Sequence, residues 1–201
     1  MKRFSSLEEI REDIWRSLLE ARDYRKGHPF RFPVLATVSG GKPLQRMVVL
    51  RKVFVSSRII LFHTDRRSRK VLDMERCPDT SWLVYDSKNR IQLQMEGKAE
   101  IHAPDSELHA DEWKHTTAAE RRIYSVKYPP GTIVSDPDDV WPEAVRDSST
   151  GMEEVNLGEP NFRVVTVEIN RMDWLQLHPE GEFRAGFKWE DNTWKSYWRC
   201  P

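Results

Sequence analysis

QRMVVLRKVFVSSRIILFHTDRRSRK, residues 45–70, decides the class of fold. Its apolar residues Met47, Val48, Val49, Leu50, Val53, Phe54, Val55, Ile59, Ile60, Leu61 and Phe62 are largely β-branched or aromatic, types that suit a pleated, well-covered sheet. The run reads as one strand from Arg46 to Val55, a turn at Ser56-Ser57, a second strand from Ile59 to His63, and a loop opening a helix near Ser68. The cations are unevenly placed. Arg46 and Arg51 bracket the apolar part of the first strand, while Arg66, Arg67, Arg69 and Lys70 gather where strand gives way to helix. Unpaired N–H groups at a helix start, together with Arg and Lys, suit a phosphate. A solvated rim has the same composition, because strand ends and helix starts are exposed. Arg46 and Arg51 are five residues apart and point to opposite faces of a regular strand, so a bulge or two different roles is required.

Outward from this stretch the pattern stays sheet-like. Val34 to Val38 forms a strand that turns at Ser39-Gly40-Gly41-Lys42-Pro43 into the opening run, as an antiparallel meander does. A short helix from Ser68 to Arg76 is stopped by Pro78, and strands Thr80 to Tyr85 and Ile91 to Ile101 follow about a turn at Ser87-Lys88-Asn89. Five strands with tight turns and one inserted helix fit a small antiparallel barrel, since parallel pairing needs a long crossover each time. In the fifth strand Gln92 and Gln94 share a side opposite Leu93 and Met95, so the polar stripe lines a cavity or faces solvent.

The flanks are helical. Leu7, Ile10, Ile14, Leu18 and Ala21 recur at helical spacing between Ser6 and Arg25, with Ser6 and Glu9 placed as a capping box and Gly27 and Pro29 ending the run. This helix packs on the barrel by one face, and Trp15 belongs to that packing. A second helix is predicted from Asp105 to Tyr124, carrying Leu108, Trp113 and Ala118. Residues 128–160, rich in Pro, Asp and Ser, read as a long irregular insertion that is either a lid or mobile. Strands return at Phe162 to Ile169, Trp174 to Leu177, Phe183 to Trp189 and Thr193 to Trp198, where dense aromatics complete a barrel or cover a planar ligand.

The chain has 201 residues, enough for a single domain over residues 1–201. Lys plus Arg equal Asp plus Glu at 32 each, so no net field draws it to nucleic acid or to an anionic membrane, and anion binding must be local. No apolar run approaches the roughly 18 residues that span a bilayer, and MKRFSSLEEI is no signal region, so a soluble, cytoplasmic protein is expected. Cys77 and Cys200 have neither disulfide-framework nor zinc-site spacing. G-x-S-x-G, H-E-x-x-H and G-x-x-x-x-G-K-[ST] do not occur. The six His residues are scattered, and only His63 ends a strand beside the basic cluster. Asp111 and Glu112, adjacent on a helix, do not face each other as a carboxylate pair. No metal site is indicated and the residues name no catalytic group.

Five pieces, taken in order, carry a resemblance. Arg46-Met47-Val48-Val49-Leu50-Arg51, then Phe62-His63-Thr64, then Ser68-Arg69-Lys70, then Gln92 ahead of Gly97-Lys98-Ala99, and finally Trp174 with Arg184 ten residues on and Trp194-Lys195 ten further, resemble pyridoxamine 5'-phosphate oxidase and related flavoproteins of the FMN-binding split barrel. The resemblance covers roughly Phe32 to Ala99 and Asn161 to Pro201. It implies a mainly β, antiparallel FMN-binding split β-barrel with flanking helices, and a homodimer with FMN at its interface.

By the same resemblance, Arg46 and Lys70 with Arg69 face the flavin phosphate, Ser68 belongs to the same motif, and His63 and Thr64 flank it. Met47 to Arg51 line the cofactor, Gln92 bonds near the isoalloxazine, and Trp174 and Arg184 approach from the C-terminal part, in cis or from the other subunit. A dianionic phosphate needs fixed cations and a flat ring needs aromatic cover, which agrees. The sequence also departs from the pattern. Glu180 and Glu182 stand where the oxidase has R-x-H at its substrate, Arg51 replaces a Lys, Trp198-Arg199 replaces a near-terminal Arg-Leu, and the Tyr, Arg and Ser trio for the substrate phosphate is not found between His109 and Tyr128. The resemblance therefore implies an FMN-dependent oxidoreductase acting on an unidentified small molecule. A non-catalytic flavin sensor or carrier, the true oxidase, or a barrel holding haem or a deazaflavin remain alternatives.

Overall fold

The computed structural model describes residues 4–23, 27–146 and 151–201. Residues 24 and 25 of the predicted first helix, and the Asp147-Ser148-Ser149 run, lie outside the described residues. Nine strands form one sheet: β1 (Val34–Ser39), β2 (Lys42–Met47), β3 (Leu50–Phe54), β4 (Ile59–Asp65), β5 (Asp79–Asp86), β6 (Ile91–Ile101), β7 (Phe162–His178), β8 (Gly181–Glu190) and β9 (Thr193–Arg199). Its order is β2-β1-β5-β6-β7-β4-β3, with β8 on β7 and β9 on β8. The pairs β1–β2, β1–β5, β3–β4, β5–β6, β7–β8 and β8–β9 are antiparallel. The helices are α1 (Leu7–Asp23), α2 (Arg69–Arg76), α3 (Glu107–Lys114), α4 (Ala118–Arg122) and α5 (Met152–Val155). By contact density the chain forms two units, one of residues 1–62, 77–100 and 166–201, the other of residues 63–76 and 101–165.

In the first unit the predicted strand from Arg46 to Val55 is two strands. β2 pairs with β1 through Met47, Val48 then donates its N–H to the Pro33 carbonyl at 3.0 Å, and β3 pairs with β4 instead. A single apolar run hides this change of partner, because both strands draw on the same residue types. The β3–β4 register skips between Leu50 and Lys52, so Arg51 is the extra residue of a bulge. The misfit between Arg46 and Arg51 is resolved by that bulge and by the break at Val48-Val49.

Tight turns join these strands. Gly40 and Gly41 both take positive φ, 57° and 79°, as a two-residue hairpin between right-twisted strands requires. Arg58 and Arg90 are left-handed as well, at φ 58° and 51°, in the β3–β4 and β5–β6 turns. Each offers its carbonyl to β7, to Ile169 N at 2.8 Å and Leu177 N at 3.0 Å, which offsets the roughly 1–2 kcal/mol that this conformation costs a residue with a Cβ. The two strands expected at Phe162–Ile169 and Trp174–Leu177 are one, because Arg171, Met172 and Asp173 pair with Lys188, Phe187 and Gly186 of β8 and carry the strand across the polar break. Gly97 shows why its position takes no side chain: a Cβ there would fall on the Glu168 carbonyl oxygen.

α1 packs on β3, β8 and β9. Ile10, Ile14, Leu18 and Ala21 are at most 2% exposed, and Trp15 lies against Trp194 with centroids 6.5 Å apart. Ser6 Oγ accepts the Glu9 N–H at 3.1 Å, while the Glu9 carboxylate takes the Ser5 N–H at 2.9 Å.

After α1, His28 caps a 3-10 turn (Pro29–Arg31), its Nδ1 accepting the Phe30 N–H at 3.2 Å. Burial lowers the His28 pKa below 6.5, with Glu20 and Asp86 opposing. The folded chain thus favours the neutral ring, whereas the unfolded chain takes its proton near pH 6.5, so stability must fall as pH drops through 6.5 toward the lower folded value. Thermal melts between pH 7.5 and 5.5 should show this slope, and His28→Asn, which keeps a capping acceptor, should flatten it. An unchanged slope in the variant would assign the effect elsewhere.

The second unit is built around Phe162, whose ring meets His63, His109, Trp113 and Tyr124 with centroids 4.8–5.1 Å away. The helix predicted from Asp105 to Tyr124 is broken at His115–Thr117, where Thr117 and Glu120 form a complete capping box that starts α4. Arg121 stacks on Trp113 at 4.4 Å and donates to the Trp113 carbonyl and to Thr116 Oγ1, which pins the two helices at that break. Residues 128–160 are less irregular than predicted. They contain 3-10 turns (Pro137–Val140, Glu143–Val145 and, running on to Asn161, Asn156–Asn161) and α5, with Val145 and Val155 fully buried. Among the described residues no helix is long and apolar enough to cross a membrane.

Candidate functional site

At the end of β4 the chain makes a short turn into α2, and the cations clustered there divide by role. The Asp65 carboxylate accepts the Arg67 backbone N–H at 2.8 Å and both Nε and Nη2 of its guanidinium, at 3.0 and 2.7 Å. Arg67 Nη1 also donates to the Val126 carbonyl at 3.0 Å. Arg67 therefore holds the turn together and is not the anion-facing cation that its place in the cluster suggests. Arg69 is exposed and reaches Asp73, one helical turn on, at 3.2 Å.

Lys70 is placed differently. Its ammonium donates to Thr64 Oγ1 at 3.1 Å and Ser68 Oγ at 2.6 Å, and both hydroxyl residues are buried. A fixed ammonium beside two hydroxyls at the first turn of a helix has the donor set and dipole sense that suit a phosphate group. Nearby on β7, Arg163 has its pKa lowered by burial first and by the charge of Arg66 second, so the junction is crowded with positive charge.

His63 turns inward. Its Nε2 lies 2.9 Å from Glu112 Oε2, both side chains are about 5% exposed or less, and its ring is set edge-on to Phe162. Glu112, which does not face Asp111 as a carboxylate pair, instead faces His63. A signal was available: His109, Glu112 and Trp113 form the buried stripe of α3 at spacings of three and four, with a carboxylate in a position that otherwise favours apolar groups.

The remaining candidates lie in the first unit. Arg46 is half-buried and donates from Nη1 to Thr37 Oγ1 at 2.7 Å. Strand register puts it in one row with Leu35, Trp82 and Met95 on the inner face. Gln92, opposite Tyr85, is on the outer face, so these two residues are not brought to one side of the sheet. Met47 is 64% exposed on the outer face, Val48 and Leu50 are buried, and Val49 and Arg51 are half-buried. Trp174 is fully covered and meets Phe4 edge-on at 5.3 Å. Arg184, on the neighbouring strand, donates from Nε to Asp173 at 2.9 Å. Among the described residues no three His, Cys, Asp or Glu side chains are grouped to hold a metal.

Comparison with known proteins agrees with this architecture. Residues 12–103 match the family model of the pyridoxamine 5'-phosphate oxidase FMN-binding domain. A pyridoxine/pyridoxamine 5'-phosphate oxidase 2 of Arabidopsis thaliana is 28% identical over 150 residues, covering 71% of this chain and 72% of the plant protein. Two solved structures share the fold. One is a pyridoxamine 5'-phosphate oxidase-related, FMN-binding protein of Nostoc punctiforme, with TM-score 0.72, 24% identity, and 95% and 96% of the two chains covered. The other is PhzG of Burkholderia lata, with TM-score 0.77, 20% identity, and 100% and 98% covered.

Proposed function

We propose, from the premise that residues 12–103 are an FMN-binding domain of the pyridoxamine 5'-phosphate oxidase family, that the chain is a homodimeric FMN-dependent oxidoreductase acting on a small molecule. The observation that carries this reading is the Lys70 ammonium fixed by Thr64 and Ser68 at the start of α2, whose donors match a flavin phosphate. Bound FMN would supply hydride transfer at its ring, and the protein would supply binding, orientation and electrostatics. Arg69 is assigned as a further phosphate-side cation. Arg46, Met47 to Arg51, His63, Gln92, Trp174 and Arg184 keep the cofactor-binding roles that the resemblance gives them, and the buried His63 side chain acts through the strand it anchors.

The outer face of β2, β1, β5 and β6 supports a second copy of the chain as partner. Met47, Val34 and Leu83 form one register row there, and Tyr85 and Val38 stand on the same face. Met47, Tyr85, Val38 and Leu83 are between 36% and 64% exposed, which is unusual for adjoining apolar residues of a lone chain. The substrate is read as other than pyridoxamine 5'-phosphate. Glu180 and Glu182 sit in and beside the β7–β8 turn, where acidic groups repel a phosphate.

Reconstitution with FMN, followed by flavin absorbance, thermal melting, sedimentation and stopped-flow reduction, tests the proposal. We expect about one flavin per chain, a raised Tm, a dimer, and reduction by NADH, NADPH or an organic donor. No flavin uptake and no Tm shift would sink it. A flavin that only dithionite reduces would leave a carrier or sensor in its place.

A further inference from the structure

Strands β7, β8 and β9 concentrate cations that the neutral chain as a whole conceals. Their register puts Arg171, Lys188 and Lys195 in one row and Leu175, Arg184 and Arg199 in another, with Asp173, Gly186 and Tyr197 between them on the same face. Asp173 is 8% exposed, and its carboxylate accepts from Arg184 Nε at 2.9 Å and from Arg199 Nη1. One carboxylate shared by two guanidiniums leaves a positive charge over. Among the described residues, the other N–H groups of Arg184 and Arg199 meet no protein acceptor. In the neighbouring row Lys188 is paired with Glu190, while Arg171 and Lys195 are only loosely paired, each 3.9 Å from an exposed acid, so the field of these two is little diminished.

Gly186 makes the arrangement possible. A Cβ at that position would fall on the Tyr197 ring and crowd Arg199 Cδ, so only bare backbone lets Arg199 fold back onto Asp173 with Tyr197 across the strand. Tyr197 remains 37% exposed beside the two guanidiniums.

We propose that on this face Arg199, with Tyr197 alongside and Arg184 keeping its place toward the flavin, binds the carboxylate of a planar substrate. The identification as a substrate site rests on the flavin reading above. A guanidinium fork matches a carboxylate in two parallel hydrogen bonds, the single excess charge matches a monoanion, and the exposed ring offers a flat apolar neighbour. Arg199 thus supplies, from β9, a cation toward the substrate in a chain that carries Glu180 and Glu182 where the oxidase has R-x-H.

Calorimetric titration with benzoate, benzamide and phenyl phosphate, on FMN-reconstituted and on cofactor-free protein, tests this. Benzoate should bind, less tightly as salt rises, and benzamide at least about tenfold more weakly, since its amide forfeits the charge-assisted bonds. Arg199→Gln should weaken benzoate about 10- to 100-fold with FMN affinity essentially unchanged, and Arg199→Lys, which keeps charge without the planar fork, should weaken it less. The lysine variant also serves should the glutamine variant lose its fold. Absent benzoate binding, equal binding of benzamide, tighter binding of phenyl phosphate, or indifference to both substitutions overturns the proposal. Benzoate bound through Arg199 by protein that takes up no flavin refutes the flavin reading and leaves the anion site standing, and the reverse result refutes the anion site alone.

Discussion

Replacing Lys70 by methionine is expected to raise the Kd for FMN about 10- to 100-fold, the range set by losing one charge-assisted contact of roughly 1.5–3 kcal/mol. Methionine keeps the length of the apolar stem and removes only the ammonium that donates to Thr64 and Ser68. The effect should be larger than that of Thr64→Val, which deletes one neutral acceptor and is expected to weaken binding by about 2- to 12-fold. Fluorescence titration of the flavin, with far-ultraviolet circular dichroism to confirm folding, separates the two. A folded Lys70→Met variant with unaltered FMN affinity would remove the central support of the proposed function.

Phe162→Ala should lower the stability of the chain by about 3–5 kcal/mol, because a large buried side chain is deleted where little can collapse into the space. The ring is fully buried and in edge or tilted contact with four others. Its carbonyl, which lies 3.1 Å from His109 Nε2, survives the substitution, so the loss reports on side-chain packing. Since a domain typically has only 5–15 kcal/mol to lose, urea unfolding should show a much reduced midpoint. A loss below about 1 kcal/mol would mean that the aromatic cluster is not the core of its unit.

Much of the sheet was legible because β-branched and aromatic runs, glycine turns and Pro78 leave local marks. The Gly40-Gly41 hairpin and the helix between Ser68 and Arg76 need nothing beyond neighbouring residues. What escaped depends on partners distant in sequence. The split at Val48-Val49 arises because β2 and β3 pair with different strands, and β7 is continuous because β8 pairs with Arg171 to Asp173. Thr117 and Glu120 formed a readable capping box that the helical pattern of residues 105–124 masked.

The site was legible in the same uneven way. Lys70, Thr64 and Ser68 are close in sequence and do meet. Arg67 is of the same charge as its neighbours but is taken by Asp65, and His63 reaches Glu112 across 49 positions, which no local pattern announces. The flavin roles came from resemblance, whereas composition and spacing alone left a phosphate site and a solvated basic rim both open.

The discontinuity of the first unit has a bearing on how the protein is made. α1 leaves the ribosome well before β8 and β9, two of the strands that cover it. Until β8 and β9 emerge, α1 has only its earlier neighbours, β3 and the Pro29–Arg31 turn, to cover its stripe of Ile10, Ile14 and Leu18, whereas residues 63–76 and 101–165 have all emerged while β8 and β9 are still being translated. Nascent chains stalled before β8 should therefore be the species most dependent on chaperones.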